Sequence, residues 1–168
     1  MTNPKYPLKQ VLEVKERRVS EAEKVVKEKL EALEKENKIL KQKEDERDKV
    51  KQHYEDKLTQ IRETLDSGMS SPKMQQMKAY LKVVKEQLAA EEKKVVEQKK
   101  KVEAAEKNLE VAKEDLRQKR QDVDKFVAHE KDWTREARKE IERLEGIEQD
   151  ELGATTFTAN QTKRKRGM

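Results

Sequence analysis

From Met74 to Ile147, apolar residues recur every seven positions. Met74, Leu81, Leu88, Val95, Val102, Leu109, Leu116, Val123, Ala137 and Leu144 form one column, broken only at Glu130. Three residues after each step lies a patchier column of Met77, Val84, Ala105, Ala112, Phe126, Trp133 and Ile147, interrupted by Glu91, Gln98, Lys119 and Glu140. An apolar period of 3.5 kept up over about ten heptads is one face of a very long helix that packs on another helix. Neither Pro nor Gly interrupts the pattern before Gly146. At ~1.5 Å per residue this helix is expected to span roughly 110 Å.

A second frame precedes it. Leu12, Val19, Val26, Leu33, Leu40, Arg47, Tyr54 and Ile61 are spaced by sevens, and only Arg47 is charged. Val11, Val25, Ala32 and Ile39, one residue earlier, widen the stripe. The companion column is poor: Lys15, Ala22, Lys29, Glu36, Lys43, Val50 and Lys57. Lys stems can cover apolar surface while their ammonium groups stay in water, so the seam is weakened rather than abolished. Its weakest part is Lys41 to Lys49, which has no apolar member.

Between the two frames lies Asp66-Ser67-Gly68-Met69-Ser70-Ser71-Pro72. Gly68 suits a left-handed helix cap, Ser71 an N-cap, and Pro72 a first helical turn. A link this short between two amphipathic helices predicts an antiparallel hairpin, so the fold class is all-α with the second helix longer than the first. The predicted boundaries are an extended segment at 1–7, helix 1 at 8–66, a turn at 67–72, and helix 2 at 73–152 with an overhanging C-terminal end. Residues 153–168 are expected to be a disordered basic tail. Pro7 is expected in the first turn of helix 1.

The register follows from matching the strong column of each helix to the companion column of the other. Paired positions then add to 138, folding the chain at Met69. Leu12 faces Phe126, Ala22 faces Leu116, Leu33 faces Ala105, Val50 faces Leu88, Tyr54 faces Val84 and Ile61 faces Met77. Large residues meet small ones in several of these layers, as close packing requires. Leu8 falls near Glu130, so the stripe from Trp133 through Ala137, Ile141, Leu144 and Ile147 outruns helix 1. Tyr6 can fold over Trp133, and nothing in the hairpin covers the rest.

Composition narrows the function. Charged residues make up 46% of the chain, hydrophobic ones 32% and aromatic ones 4%, too little for a globular core but enough for a narrow seam. Lys and Arg number 41 against 36 Asp and Glu, and both signs alternate along the chain, which argues against a dedicated nucleic-acid binder. Acid-before-base pairs at i,i+4, such as Glu103 with Lys107 and Asp115 with Lys119, describe solvated helix faces. With no Cys, thiol catalysis, disulfides and thiolate metal sites are excluded. No apolar run reaches the ~18 residues of a membrane span, and the N-terminus lacks a signal-peptide core. A soluble, intracellular protein is expected.

Catalytic chemistry is not visible, and no metal or cofactor is expected. Gly68, Gly146, Gly153 and Gly167 are isolated, so there is no phosphate-cradling loop. The register keeps His53 and His129 apart, leaving each a structural or surface role. Paired acids such as Glu91 with Glu92 are a consequence of a charged surface, and a two-helix hairpin offers no pocket to shift a pKa. The basic end Lys163-Arg164-Lys165-Arg166 reads either as a solubilising end or as a nuclear-import or phosphate-binding one. Trp133 either packs on Tyr6 and Phe126 or meets a partner, since Trp is enriched at interface hot spots.

Several strings carry a family resemblance: Tyr6-Pro7-Leu8 with Val11-Leu12, Ala22 to Lys29, Glu46 to Lys51 ahead of His53-Tyr54, and above all Met77-Lys78-Ala79-Tyr80-Leu81-Lys82-Val83-Val84. They resemble the type III secretion stalk family of YscO/FliJ-like proteins, its chlamydial members most closely, over nearly the whole chain to about residue 150. That resemblance implies an antiparallel hairpin similar to the gamma stalk of rotary ATP synthases. Such a stalk is cytoplasmic and peripheral to the inner membrane. It sits in the central hole of the secretion ATPase hexamer, promotes its assembly or activity, and links it to the export gate protein. Some members also bind secretion chaperones or the needle-length ruler.

No enzyme activity, no nucleic acid and no direct membrane insertion are expected from the missing motifs, the mixed charge and the short apolar runs, and the internal register predicts a monomer in dilute solution. In a gamma-like stalk the two termini enter the ring, which makes Trp133, Ile141, Leu144 and Ile147 the candidate ring contacts, with Tyr6 and Leu8 steadying their root. Arg135, Arg138, Lys139 and Arg143 are candidate steering charges, and Ser67, Gly68, Met69 and Pro72 form the turn. The alternatives are a chaperone-like coiled-coil hairpin, opposed by the Ser- and Gly-rich turn, and a structural coiled-coil scaffold of parallel dimers, opposed by the fold-back itself.

Overall fold

The computed structural model describes residues 4–68 and 70–167, and the predicted fold point Met69 lies outside them. Two helices account for the described chain, α1 (Lys9–Asp66) and α2 (Ser71–Arg166). They pack as an antiparallel hairpin whose second helix is the longer. Two compact units divide it, Ala22–Leu116 around the turn, and Met1–Glu21 with Arg117–Met168 around the termini.

The turn is built as its residues dictate. Gly68 has φ +83°, the left-handed conformation that a side chain disfavours, and its N–H closes the end of α1 on the Leu65 carbonyl. Ser67 donates its hydroxyl to the Thr64 carbonyl. On the far side the Ser70 carbonyl accepts the first helical bond, from Met74 N–H at 3.2 Å. The cap is therefore Ser70 rather than Ser71, and Pro72 is the second helical residue. Its missing N–H still costs nothing there, because the first four helical N–H groups have no intrahelical partner. Similarly, α1 starts at Lys9 with the Leu8 carbonyl bonded to Leu12 N–H, so Pro7 belongs to the turn before the helix.

In the turn unit the seam is unequal. From α2, Val84, Val95, Val102, Leu109, Ala112 and Leu116 are buried, at alternating three- and four-residue steps once buried Gln98 and half-buried Leu88, Glu91 and Ala105 are included. From α1 only Ala22 and Ile61 are buried to that degree. The rest of its stripe, including Leu33, Leu40, Val50 and Tyr54, is half-buried, because Lys and Glu fill the companion column and keep water close. Gln98 is the one buried polar residue among the described residues, 2% exposed, and its amide donates to both the carbonyl and the carboxylate of Glu36.

Cross-helix contacts lie around the predicted register, with position sums of 133 for His53 with Tyr80 and 143 for Glu44 with Lys99 on either side of the expected 138. In the terminal unit, Lys9 meets Glu130 at 3.4 Å and Lys15 meets Asp122 at 3.3 Å. Glu130, the break in the apolar column, is thus answered by a cation from α1.

The predicted disordered tail is replaced by helix: α2 continues past residue 152 to Arg166. Residues 151–167 are all exposed, so no packing holds this stretch. Its support is local. Lys163 to Arg166 place positive charge at the negative end of the helix dipole, while Thr155, Thr156 and Thr158 donate to carbonyls four residues back at 2.8–3.0 Å, satisfying their hydroxyls without strengthening the helix.

Candidate partner-binding surface

The terminal unit is organised by one aromatic root. Tyr6 is only 7% exposed although it precedes α1. Its hydroxyl shares a 2.6 Å hydrogen bond with Nδ1 of His129. Its ring meets Trp133 edge-on, with centroids 5.7 Å apart and planes at 60°. The backbone turn that holds it there is closed by Lys9 N–H on the Tyr6 carbonyl. Below the root Leu12 is fully buried, and the Lys15 ammonium lies 5.8 Å from the Phe126 ring centroid. Leu8, expected beside Tyr6, is more exposed at 38% and contributes its carbonyl rather than its side chain.

Beyond Trp133, α1 supplies no second wall to the seam among the described residues. Only Pro4 and Lys5 are described ahead of Tyr6. Ala137 and Ile141 are half-buried, while Leu144 and Ile147 are 47% and 42% exposed. The stripe itself is continuous through this change, so the exposure reflects a missing partner rather than a change of sequence pattern. Further along, Leu152 and Phe157 are each 66% exposed. Assignment of residues 153–168 to disorder hid Phe157 from the sequence analysis, whereas Leu152 stood at the end of the predicted helix 2.

The four candidate steering cations are not equivalent. Arg143 donates through Nε and Nη2 to both oxygens of Glu140, at 2.9 and 2.6 Å. That hydrogen bonding holds the Glu140 carboxyl below its ordinary range and raises Arg143 above its own. Arg135 donates to Asp132 at 3.0 Å. Arg135, Arg138 and Lys139 lie along a shallow groove that also carries Glu130 and Glu142, on the helix face beside the apolar ridge. Local acids therefore offset much of the positive charge, and the apolar ridge is the more distinctive feature.

At the other end, Ser67 and Gly68 close α1 at the turn, the predicted turn residue Pro72 lies instead in the first turn of α2, and Met69 lies outside the described residues. Near it, His53 Nε2 and the Tyr80 hydroxyl share a 2.9 Å bond, and Lys57 lies 5.8 Å from the Tyr80 ring centroid. His53 is thus bonded to a tyrosine of α2, and His129 to Tyr6 just ahead of α1. Sequence reasoning separated the two histidines but paired neither, although the register puts 6 near 129 and 53 near 80. Among the described residues no cluster of three metal-capable side chains occurs, and no helix is long and apolar enough to cross a membrane.

Comparison with known proteins agrees with this geometry. The family model described as YscO-like protein matches residues 3–163. A solved structure described as a YscO homolog, CT670 from Chlamydia trachomatis, is 48% identical. It covers 95% of this chain and 99% of its own, with a TM-score of 0.92. A chain from the complex of the CdsV and CdsO proteins of Chlamydia pneumoniae is 52% identical, covering 49% of this chain and 96% of its own at a TM-score of 0.48. Comparison with curated proteins returned no match. The chain belongs to the YscO-like family of type III secretion proteins.

Proposed function

We propose that the protein is a non-enzymatic central stalk and adaptor of a type III secretion apparatus. It inserts its terminal end into the secretion ATPase hexamer, promotes ATP hydrolysis there, and couples the ring to the export gate. Chaperones or the needle-length ruler are further candidate partners, met while the protein is cytoplasmic and peripheral to the inner membrane. The observation that carries this reading is the ridge Trp133, Ala137, Ile141, Leu144 and Ile147, which continues a coiled-coil seam past the point where Tyr6 supplies its last wall. A stripe cut to fit helices, left open at a chain end, suits a partner that encloses that end.

Burying Ile141, Leu144 and Ile147 contributes ~1.5–3 kcal/mol each before the losses of association. Lys139 and the groove arginines then bias orientation more than affinity. Catalysis stays with the ATPase, and the stalk acts by position and conformation. The test is co-purification with the cognate secretion ATPase together with the rate of ATP hydrolysis. Binding with stimulated hydrolysis supports the proposal. A stalk that neither co-purifies with the hexamer nor changes its rate contradicts it.

A further inference from the structure

The middle of the turn unit contains an ionic arrangement that the register leaves half completed. Arg47 stands in the apolar column of α1 and Glu91 interrupts the stripe of α2. Their numbers add to 138, the centre of the observed pairing, so the fold sets these opposite charges against each other. Both are turned to other partners. Arg47 donates through Nε and Nη2 to Asp48, its exposed chain neighbour, at 3.0 and 2.8 Å. Glu91 Oε1 accepts from Lys94 at 2.8 Å, while Glu91 Oε2 is buried without a hydrogen-bond partner.

A buried carboxylate oxygen left unpaired is costly, and a guanidinium fork is the donor best shaped to satisfy it. The pair with Asp48 is the weaker competitor, because Asp48 is 60% exposed at its side chain and water can replace it. We infer that Arg47 and Glu91 form an alternative ion pair across the seam, with Arg47 exchanging Asp48 for Glu91 Oε2. Lys94 keeps Oε1 in both arrangements, with Glu46 of α1 also close enough to act on its charge.

This exchange makes the middle of the hairpin a two-state element. With Arg47 on Asp48 the seam there is wet and loosely held. With Arg47 on Glu91 the helices are tied at one register, since a slip by a turn would bury an unpaired charge. Together with the Gln98–Glu36 contact seven residues along α2, the pair supplies the specificity that apolar residues supply elsewhere in the seam.

A double-mutant cycle on the full-length chain tests it, using Arg47→Gln, Glu91→Gln and their combination, with urea unfolding followed by circular dichroism at low and high salt. We expect a coupling of roughly fivefold in the folding equilibrium constant between the two positions, smaller at high salt. The charge-swapped double variant, Arg47→Glu with Glu91→Arg, is expected to recover most of what either reversal alone loses. Asp48→Asn serves as the control and is expected to change the constant less than twofold. Additive effects at 47 and 91, no recovery on charge swapping, or a Glu91→Gln protein as stable as the natural one would each overturn the inference.

Discussion

Tyr6 and His129 share a 2.6 Å hydrogen bond across 123 positions of sequence, and the same tyrosine ring stands edge-on to Trp133. One residue outside any helix thus fixes where the N-terminus meets α2 and closes the seam. Trp133 is the single tryptophan, so its fluorescence reports on this root alone. Tyr6→Ala is predicted to shift Trp133 emission to the red and to destabilise the terminal unit by ~2–4 kcal/mol, from lost burial plus an exposed indole. Tyr6→Phe keeps the ring contact, so it should leave the emission in place and cost only ~0.5–1.5 kcal/mol. Equal losses in both variants would show that the hydroxyl, not the ring, holds the root.

The polar middle of the hairpin should open first. Lys41 to Lys49 has no apolar residue, and in the stretch opposite it Glu91 and Gln98 take two of the seam positions. Val95 is the one buried aliphatic between Glu91 and Gln98, so hydrogen exchange is predicted to be faster in both stretches than around Leu109 to Leu116, where Leu109, Ala112 and Leu116 are all buried. Protection as strong at Lys43 as at Leu109 would contradict this.

Acid should release the Glu140–Arg143 pair. Hydrogen bonding from Arg143 lowers the Glu140 carboxyl, so whatever the pair contributes is complete above the ordinary value of 4.5 and is lost as pH falls through the lowered one. An NMR titration is predicted to place the Glu140 midpoint below that of an ordinary glutamate. Arg143→Gln should move it back up. Both residues are fully exposed, so added salt should do part of the same.

An intramolecular hairpin needs no second chain for its seam. Light scattering in dilute solution is predicted to return a mass near 19.8 kDa. A mass twice as large would mean that the open ridge beyond Trp133 is covered by another copy.

Much of the fold was legible because a seam with a period of 3.5 admits few solutions. Two apolar columns and a Gly-containing break gave both helices, the turn and the register, and His53–Tyr80 and Tyr6–Trp133 fall where that register puts them. Cap positions at Leu8 and Ser70 differed by one residue, because capping depends on backbone geometry that Ser70 and Ser71 satisfy equally in composition. The helical extension to Arg166 was hidden because Thr, Gly and Asn are poor helix formers, while the Thr hydroxyls are satisfied on preceding carbonyls. Gln98 looked like a defect in a column, yet it is among the most buried residues, since a single amide can satisfy itself on Glu36. The open ridge was legible in outline, whereas the pairing of Arg135 and Arg143 with acids three residues before them depended on rotamers.

The measurement that bears most directly on the proposed function replaces Ile141 and Leu144 together by Ser and follows two quantities, thermal unfolding of the stalk and its effect on the cognate secretion ATPase. Leu144 is already half-exposed and Ile141 has no described wall from α1, so unfolding should change little, within about 0.5 kcal/mol per site. Binding to the hexamer and stimulation of hydrolysis should both be lost. A double variant that binds and stimulates normally, while substitutions at Ser67, Gly68 and Pro72 abolish both, would show that the turn rather than the termini enters the ring.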